Sequence, residues 1–322
     1  MLTIKDLLEE NANQLKRINC PSNENLPVKK ALIFESSLAH KDNLIKITDC
    51  PLATKDNRGY HALSVGGVVT AGYPNVELYT MHAEAEWLPV INWCIDNNVR
   101  VISMSMATSR SDEREQALKK YADWGGIFVA AAGNWEDHNV SYPADSDYTI
   151  AVSATNTEDS NGVEVDITVD SYWKAKRYNR NGFASFSGTS GATPVVSGIA
   201  LRYLNANPSG ILESFRTWLL VNSIKNIDHL DYDYAFGKLE NGERYFVYPS
   251  DLKDRLLPVE IKLQIGNKTM LVNGVGKQLR VAPFLKKYSD EFSATCTEIR
   301  PIFEEVGNVE WDKEADTVNI KI

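Results

Sequence analysis

The chain of 322 residues is 43% hydrophobic and 24% charged, a balance typical of a soluble globular protein with a sizeable core. Its formal net charge of -9 argues against nucleic acid or an anionic membrane surface as the main partner. No apolar run is long enough to span a membrane, and the N-terminus is acidic rather than a basic-then-apolar secretory signal. We therefore expect a protein that stays in the cytoplasm or leaves it by a signal-independent route.

The four cysteines are scattered and lack the paired spacing of zinc ligands (Cys20, Cys50, Cys94 and Cys296). Free thiols are the expected state, which agrees with an intracellular origin. We expect neither a metal site nor a cofactor.

Segments with helix and strand character alternate over the first two thirds of the chain. Apolar runs and alternating patterns predict strands at residues 31–34, 76–81, 101–106, 127–132 and 148–154. Apolar residues at helical spacing predict helices at residues 4–18, 87–98, 112–124 and 211–224, and two more helices begin near His61 and Ser190. Residues 156–181 are mostly polar. This order predicts a doubly wound, mostly parallel α/β domain at residues 1–250.

Three chemically active side chains stand at the ends of predicted elements. Glu35 ends the first strand, while His61 and Ser190 each open a helix rich in small residues. The carboxyl ends of the strands build the site in an open α/β sheet, and a helix N-terminus stabilises developing negative charge. Each residue alone has a plainer interpretation: a solvated glutamate, a packing histidine, and a loop that leads into a buried helix.

Several blocks between about residues 28 and 225 resemble the subtilisin-like serine peptidases. Residues 188–194 (GTSGATP) look like the family's GTSxAxP nucleophile block, and residues 130–134 (AAAGN) look like the block that supplies an oxyanion asparagine. Residues 101–106 are similar to the strand that pairs with substrate, and residues 61–67 (HALSVGG) look like a degraded HGTHVAG. The chain order of acid, histidine and serine is also that of subtilisin.

The resemblance implies a serine endopeptidase that acts on protein or peptide substrates through an acyl-enzyme. It implies that Ser190 is the nucleophile, that His61 is the general base, and that Glu35 orients the imidazole. Asn134 would donate to the oxyanion beside the backbone N–H of Ser190. Two segments would flank the primary specificity pocket (Ser105, Met106 and Ala107; Ala131, Ala132 and Gly133).

The acid position departs from the family pattern, because it holds Glu35 where the family has aspartate. The carboxylate therefore lies one methylene farther from its backbone, although glutamate does serve in other Ser-His triads. If Glu35 does not orient His61, another carboxylate such as Asp42 or Asp49 has to take that role.

The histidine block departs further, since Ala62, Leu63 and Ser64 replace the family's Gly, Thr and second His. Two hypotheses follow from the blocks together. The chain is a working serine endopeptidase, or it is a catalytically inactive peptide- or cell-wall-binding protein that retains the fold.

The last part of the chain predicts a second, smaller β-rich α+β domain at residues 258–322, after a charged, proline-bounded linker at 249–258. Alternating residues predict strands near Ile261 and Val318, and residues 301–307 predict a short helix. Residues 272–274, 300–301 and 309–312 resemble the small domain related to the copper amine oxidase N-terminal domain. The resemblance implies a binding or assembly contact with a partner or the cell wall, with no catalytic set and no copper site.

Overall fold

The computed structural model divides the chain into two compact units, Met1–Tyr248 and Pro249–Ile322. It describes residues 2–18, 20, 25–135, 139–154, 164–170, 172–178 and 181–224, and after them only the backbone of short strands. The linker predicted at 249–258 and the helix predicted at 301–307 lie outside the described residues.

Helices and strands alternate along the described part of the first unit. Its helices are α1 (Ile4–Glu10), α2 (Ala12–Arg17), α3 (Tyr60–Gly72), α4 (Trp87–Asp96), α5 (Asp112–Trp124), α6 (Thr189–Ala206) and α7 (Leu212–Asn222). Its strands are β1 (Lys29–Glu35), β2 (Leu38–Ala39), β3 (Ile47–Asp49), β4 (Arg58–Gly59), β5 (Val76–His82), β6 (Val101–Met104), β7 (Ile127–Ala131), β8 (Ile150–Ala154), β9 (Ile167–Val169), β10 (Trp173–Lys176), β11 (Phe183–Phe186), β12 (Ser223–Ile224) and β13 (Tyr245–Phe246). No helix in the described ranges is both long and apolar enough to cross a bilayer.

The central sheet has the strand order β12-β13-β9-β8-β7-β6-β1-β5-β3. The seven strands from β9 to β3 pair in parallel, and β12 adds an antiparallel edge. Long parallel strands need both faces covered, which explains their continuous apolar runs. This topology confirms the predicted doubly wound, mostly parallel α/β fold.

Alternate residues of the strands point to opposite faces of the sheet. Phe34, Ile102 and Phe128 are fully buried on the face that packs against α4 and α5. The neighbouring positions, including Glu35, therefore face the layer that contains α3 and α6. The helix that begins beside His61 and the helix that begins beside Ser190 thus lie on the same side of the sheet as Glu35.

A close crossing of α3 and α6 brings these two helices together. A Cβ atom added to Gly198 would lie 2.9 Å from the Cα of Gly72, so the two backbones touch without side chains between them. Glycines inside helices cost about 1 kcal/mol each relative to alanine. Here that cost permits the close approach of α3 and α6.

The N-terminal segment forms two short helices instead of the single helix predicted at residues 4–18. The break lies at Asn11, whose Nδ2 donates to the carbonyls of Leu7 at 2.9 Å and Lys174 at 2.8 Å. Its Oδ1 accepts the Lys174 N–H at 2.7 Å. A tertiary contact with β10 therefore overrides the local helical pattern, and β10 itself, which pairs with β11, was not predicted.

The second unit contains short strands in its described part. They are β14 (Glu260–Gln264), β15 (Thr269–Val272), β16 (Val275–Gln278), β17 (Phe284–Lys287), β18 (Ser293–Cys296), β19 (Asn308–Asp312) and β20 (Thr317–Lys321). Five of them form an antiparallel sheet in the order β16-β15-β14-β20-β19. The relation of this unit to the copper amine oxidase N-terminal domain stays a prediction.

Candidate active site

Glu35 is the last residue of β1, and its side chain is only 1% exposed. One carboxylate oxygen, Oε1, accepts the backbone N–H of Ser105 at 2.9 Å. The other, Oε2, lies 3.1 Å from Nδ1 of His61. A buried carboxylate is tolerated when both oxygens have donors, so these two contacts account for its burial.

His61 is the second residue of α3 and presents one ring nitrogen to Glu35. Because a carboxylate accepts, Nδ1 carries the proton and Nε2 keeps its lone pair in the neutral ring. The edge-on ring of Phe186 packs 5.2 Å from the imidazole, between ring centroids. The Glu35 bond and this packing together fix the ring's orientation.

The pKa of His61 is the result of two opposed influences. Burial lowers it, whereas the hydrogen bond and negative charge of Glu35 raise it, and the net pKa is above the ordinary value of 6.5. The carboxylate therefore stabilises the imidazolium more than desolvation destabilises it.

Ser190 is the second residue of α6 and is tied to Ser105 by two reciprocal hydrogen bonds. Its Oγ donates to the Ser105 carbonyl at 3.1 Å, and Ser105 Oγ donates to the Ser190 carbonyl at 3.1 Å. Pro194 has no N–H, so it cannot make the usual helical bond to the Ser190 carbonyl, and Ser105 takes that acceptor instead. Within the described residues no hydrogen bond joins Ser190 to His61.

Asn134 lies directly in front of this helix. Its Oδ1 accepts the backbone N–H of Thr189 at 2.8 Å and the Thr189 hydroxyl at 2.9 Å. Since the oxygen is occupied, the donor nitrogen Nδ2 is left for another acceptor. As the second helical residue, Ser190 also has a backbone N–H with no acceptor in its own helix.

Gly188 makes this arrangement possible. Its φ of +76° lies in the left-handed region, and a Cβ there would lie 2.9 Å from Asn134 Oδ1. Any larger residue would strain the turn and push the amide away. The glycine of the nucleophile block is therefore required by both its backbone angle and its neighbour.

The six residues expected to flank a substrate pocket follow two adjacent strands. β6 and β7 are parallel neighbours, with Met104 opposite Ala130, so the segments 105–107 and 131–133 leave the sheet at the same edge. Met106 and Ala107 are partly exposed, whereas Ala131, Ala132 and Gly133 are buried and Ser105 is 4% exposed. Their role towards substrate stays a prediction.

The two other carboxylates considered for His61 are engaged elsewhere. Asp42 accepts the backbone N–H groups of Leu44 and Ile45. Asp49 accepts two hydrogen bonds from Arg58. Hydrogen bonding to Arg58 is the main reason why the pKa of Asp49 is lowered. Among these three acids, Glu35 is the one that contacts His61.

Sequence reasoning missed three contributors to this site. Phe186, the Ser105 backbone N–H and Thr189 each hold a candidate group in position, yet none has a chemically distinctive side chain. Thr189 lies inside the nucleophile block at residues 188–194, and Phe186 lies two residues before it. This closeness in sequence was the one signal that could have pointed to them. The Ser105 contact arises only because β6 ends beside β1.

The sequence profile of the subtilase family matches residues 33–238. The thermostable alkaline protease of Halalkalibacterium halodurans is 35% identical over 126 residues, which are 37% of this chain and 35% of the relative. Thermitase of Thermoactinomyces vulgaris is 35% identical over 125 residues, 35% of this chain and 44% of the relative. The matched part thus spans less than half of either relative.

A solved structure shares the fold at low sequence identity. The PatG macrocyclase in complex with peptide superposes with a TM-score of 0.55 at 15% identity, covering 63% of this chain and 85% of that one. The extent of the family match, together with the fold, is sufficient to assign the chain. The protein belongs to the subtilase family.

Proposed function

We propose that the protein is a serine endopeptidase in which Glu35, His61 and Ser190 act as the triad and Asn134 as an oxyanion donor. Membership of the subtilase family supports this reaction class. The two relatives reported above carry the names thermostable alkaline protease and thermitase. The observation that carries the proposal is the double use of the Glu35 carboxylate. One oxygen orients His61 and the other anchors the segment that holds Ser190.

The reaction proceeds by acyl transfer in two steps. Ser190 turns from the Ser105 carbonyl to His61 by rotation about χ1, and its Oγ attacks the peptide carbonyl as Nε2 of His61 takes the proton. The C–N bond breaks when His61 returns that proton to the leaving amine, and an acyl-enzyme remains. Water, deprotonated by His61, then attacks the ester and releases the acid and free Ser190.

The longer acid is compatible with this mechanism. A glutamate reaches about one C–C bond farther than an aspartate from the same strand end, and both of its oxygens find donors here. Because the carboxylate is anchored by the Ser105 N–H, the extra methylene does not leave the side chain free to turn away. Glu35 therefore orients His61 and stabilises its charged form.

The developing oxyanion has two donors. Nδ2 of Asn134 is available because Thr189 occupies Oδ1, and the N–H of Ser190 lies at the start of α6. The helix dipole adds to both. Such preorganised donors act most strongly on charge that forms in the transition state.

The second unit, Pro249–Ile322, is proposed as a binding or assembly domain, on its sequence resemblance alone. The mechanism proposed above uses no residue of this unit. A pull-down of cell-wall fragments by the full chain, compared with a chain carrying substitutions in residues 309–312, tests that role. Equal recovery by both chains would contradict it.

Labelling with a fluorophosphonate probe tests the proposed function, because the probe reacts only with an activated serine. Wild-type protein should be labelled, Ser190→Ala should not, and Ser109→Ala, an exposed loop serine, should be labelled as wild type is. A native protein that resists the probe, or a Ser190→Ala variant that is still labelled, would favour the inactive binding protein instead.

A further inference from the structure

A third segment of the chain lies between the two segments expected to flank the substrate pocket. The backbone N–H of Ser141 donates to the Ala132 carbonyl at 2.8 Å, and the next residue, Tyr142, accepts the backbone N–H of Thr108 at 2.9 Å. Ala132 lies in one of the two expected segments, and Thr108 directly follows the other. Residues 141–146, which we call the bridging segment, are therefore bonded to both sides of the expected pocket.

The bridging segment matters because the sheet itself stops before the expected pocket. The pairing of β6 with β7 ends at Met104 and Ala130. Beyond this point the two expected segments leave the sheet, and the hydrogen bonds of Ser141 and Tyr142 connect them. A shift of the bridging segment would therefore change the spacing between the two sides of the expected pocket.

Arg110 holds the bridging segment through three contacts, which we call the Arg110 clamp. Its Nη2 lies 3.0 Å from Oδ1 of Asp145, and its guanidinium carbon lies 4.7 Å from the centre of the Tyr142 ring. Its Nη1 lies 3.1 Å from Oε2 of Glu115, whose other oxygen accepts the Ser146 hydroxyl at 2.8 Å. A planar guanidinium can stack on a ring and pair with carboxylates at the same time. One side chain thus ties down the bridging segment both directly and through α5.

The Arg110 clamp is partly open to solvent. The side chains of Glu115 and Asp145 are 28% and 29% exposed, and that of Arg110 is 47% exposed. Solvent weakens each ion pair, so each alone contributes little to the stability of the fold. We therefore expect loss of the clamp to displace the bridging segment rather than to unfold the domain.

We infer that Arg110 is a positioning residue for peptide binding, because it holds the bridging segment against both sides of the substrate pocket. The inference rests on the proposed function for the assignment of that pocket. Among the described residues, Arg110 makes no hydrogen bond or ion pair with the proposed triad. Its contribution is therefore to substrate binding and not to the acyl transfer itself.

Steady-state kinetics of Arg110→Met on one fluorogenic peptide test the inference. Methionine keeps an unbranched side chain but removes the charge and the planar group. KM should rise about three- to ten-fold while kcat stays within about two-fold, because the loss of uniform binding raises KM alone. Arg110→Lys keeps the charge without the stacked plane, so its KM should lie between those of the wild type and Arg110→Met.

Asp145→Asn tests whether the effect passes through the bridging segment. It should raise KM by less than Arg110→Met does, because Arg110 keeps its contacts with Tyr142 and Glu115. The double variant Arg110→Met/Asp145→Asn should have the KM of Arg110→Met alone, since the ion pair is already lost. Independent, multiplying effects of the two substitutions would contradict the clamp.

Lys119→Met is the matched control, because it also removes a cation that pairs with a carboxylate, here Asp123 at 2.6 Å on α5. It should leave KM as in the wild type. Urea unfolding of both variants shows whether a change in KM merely follows a loss of stability. An unchanged KM in Arg110→Met, or equal rises of KM in Arg110→Met and Lys119→Met, would overturn the inference.

Binding separates this inference from the proposed function. In the Ser190→Ala background, Arg110→Met should raise the Kd of the same peptide by about the factor seen in KM, measured by fluorescence anisotropy. Failure of fluorophosphonate labelling would overturn the proposed function, and the ratio of the two Kd values would still show whether Arg110 positions a peptide site. Equal Kd values together with normal labelling would overturn the positioning role alone.

Discussion

The acid–histidine half of the site and the serine half differ in how far they are assembled. Glu35 and His61 are already joined by the hydrogen bond that the proposed mechanism requires. Ser190, by contrast, has its hydroxyl on the Ser105 carbonyl. The comparison teaches that the proposed proton acceptor is preorganised by the sheet and α3, whereas the proposed nucleophile has to exchange one hydrogen bond for another.

The same residue, Ser105, links the two halves. Its N–H holds Glu35, and its carbonyl and hydroxyl hold Ser190. The two halves are therefore formed by different elements, and hydrogen bonds to Ser105, just after β6, connect them. Substitutions in the two halves, and at Ser105 between them, should therefore have different effects on kcat and on stability.

The largest effect is expected in the acid–histidine half. Glu35→Gln keeps the length and most of the hydrogen bonding but removes the charge and favours the wrong tautomer of His61, so kcat should fall about 10⁴-fold. Peptide hydrolysis rates measure the loss. Glu84→Gln, at an exposed carboxylate that pairs with Lys55, is the control and should retain wild-type kcat. Unchanged kcat in Glu35→Gln would show that another group orients His61.

A smaller loss is expected at the oxyanion donor. Asn134→Ala should lower kcat about 10²–10³-fold with little change in KM, a magnitude known from the oxyanion asparagine of a subtilisin. Thr189→Val removes only one of the two donors that orient the amide, so its loss should be about three- to ten-fold. Steady-state kinetics on one peptide substrate distinguish the two. A larger loss in Thr189→Val than in Asn134→Ala would contradict this order.

The link between the halves should affect stability more than chemistry. Ser105→Ala removes the donor of the part-buried Ser190 carbonyl, which should reduce the free energy of unfolding by about 1 kcal/mol. Urea unfolding measures this cost. Pro194→Ala restores an N–H to that carbonyl, so the double variant should lose less than the two single variants together. Strict additivity would mean that Ser105 and Pro194 do not share this acceptor.

Local patterns predicted most of the fold. The apolar run that contains Phe34 predicted strand β1. The glycine stop at Gly125 predicted the end of α5, and this helix has the predicted bounds of 112–124. The family resemblance implied that Glu35, His61 and Ser190 act together. A direct hydrogen bond joins Glu35 and His61.

The features that sequence could not predict depend on distant partners. The helix break at Asn11 is caused by Lys174, 163 positions away. The carbonyl of Ser190 accepts a hydrogen bond from Ser105, which is 85 positions away. The sequence shows only that Pro194 cannot donate to this carbonyl, not which residue does so instead.

The central claim is that Glu35 holds and charges His61, and an NMR titration of the His61 ring tests it most directly. In the wild type the pKa should lie above 6.5, so the neutral base and the activity both appear as pH rises through that higher value. In Glu35→Gln only burial remains, and the pKa should fall below 6.5. A His61 pKa that is the same in both proteins would contradict the account.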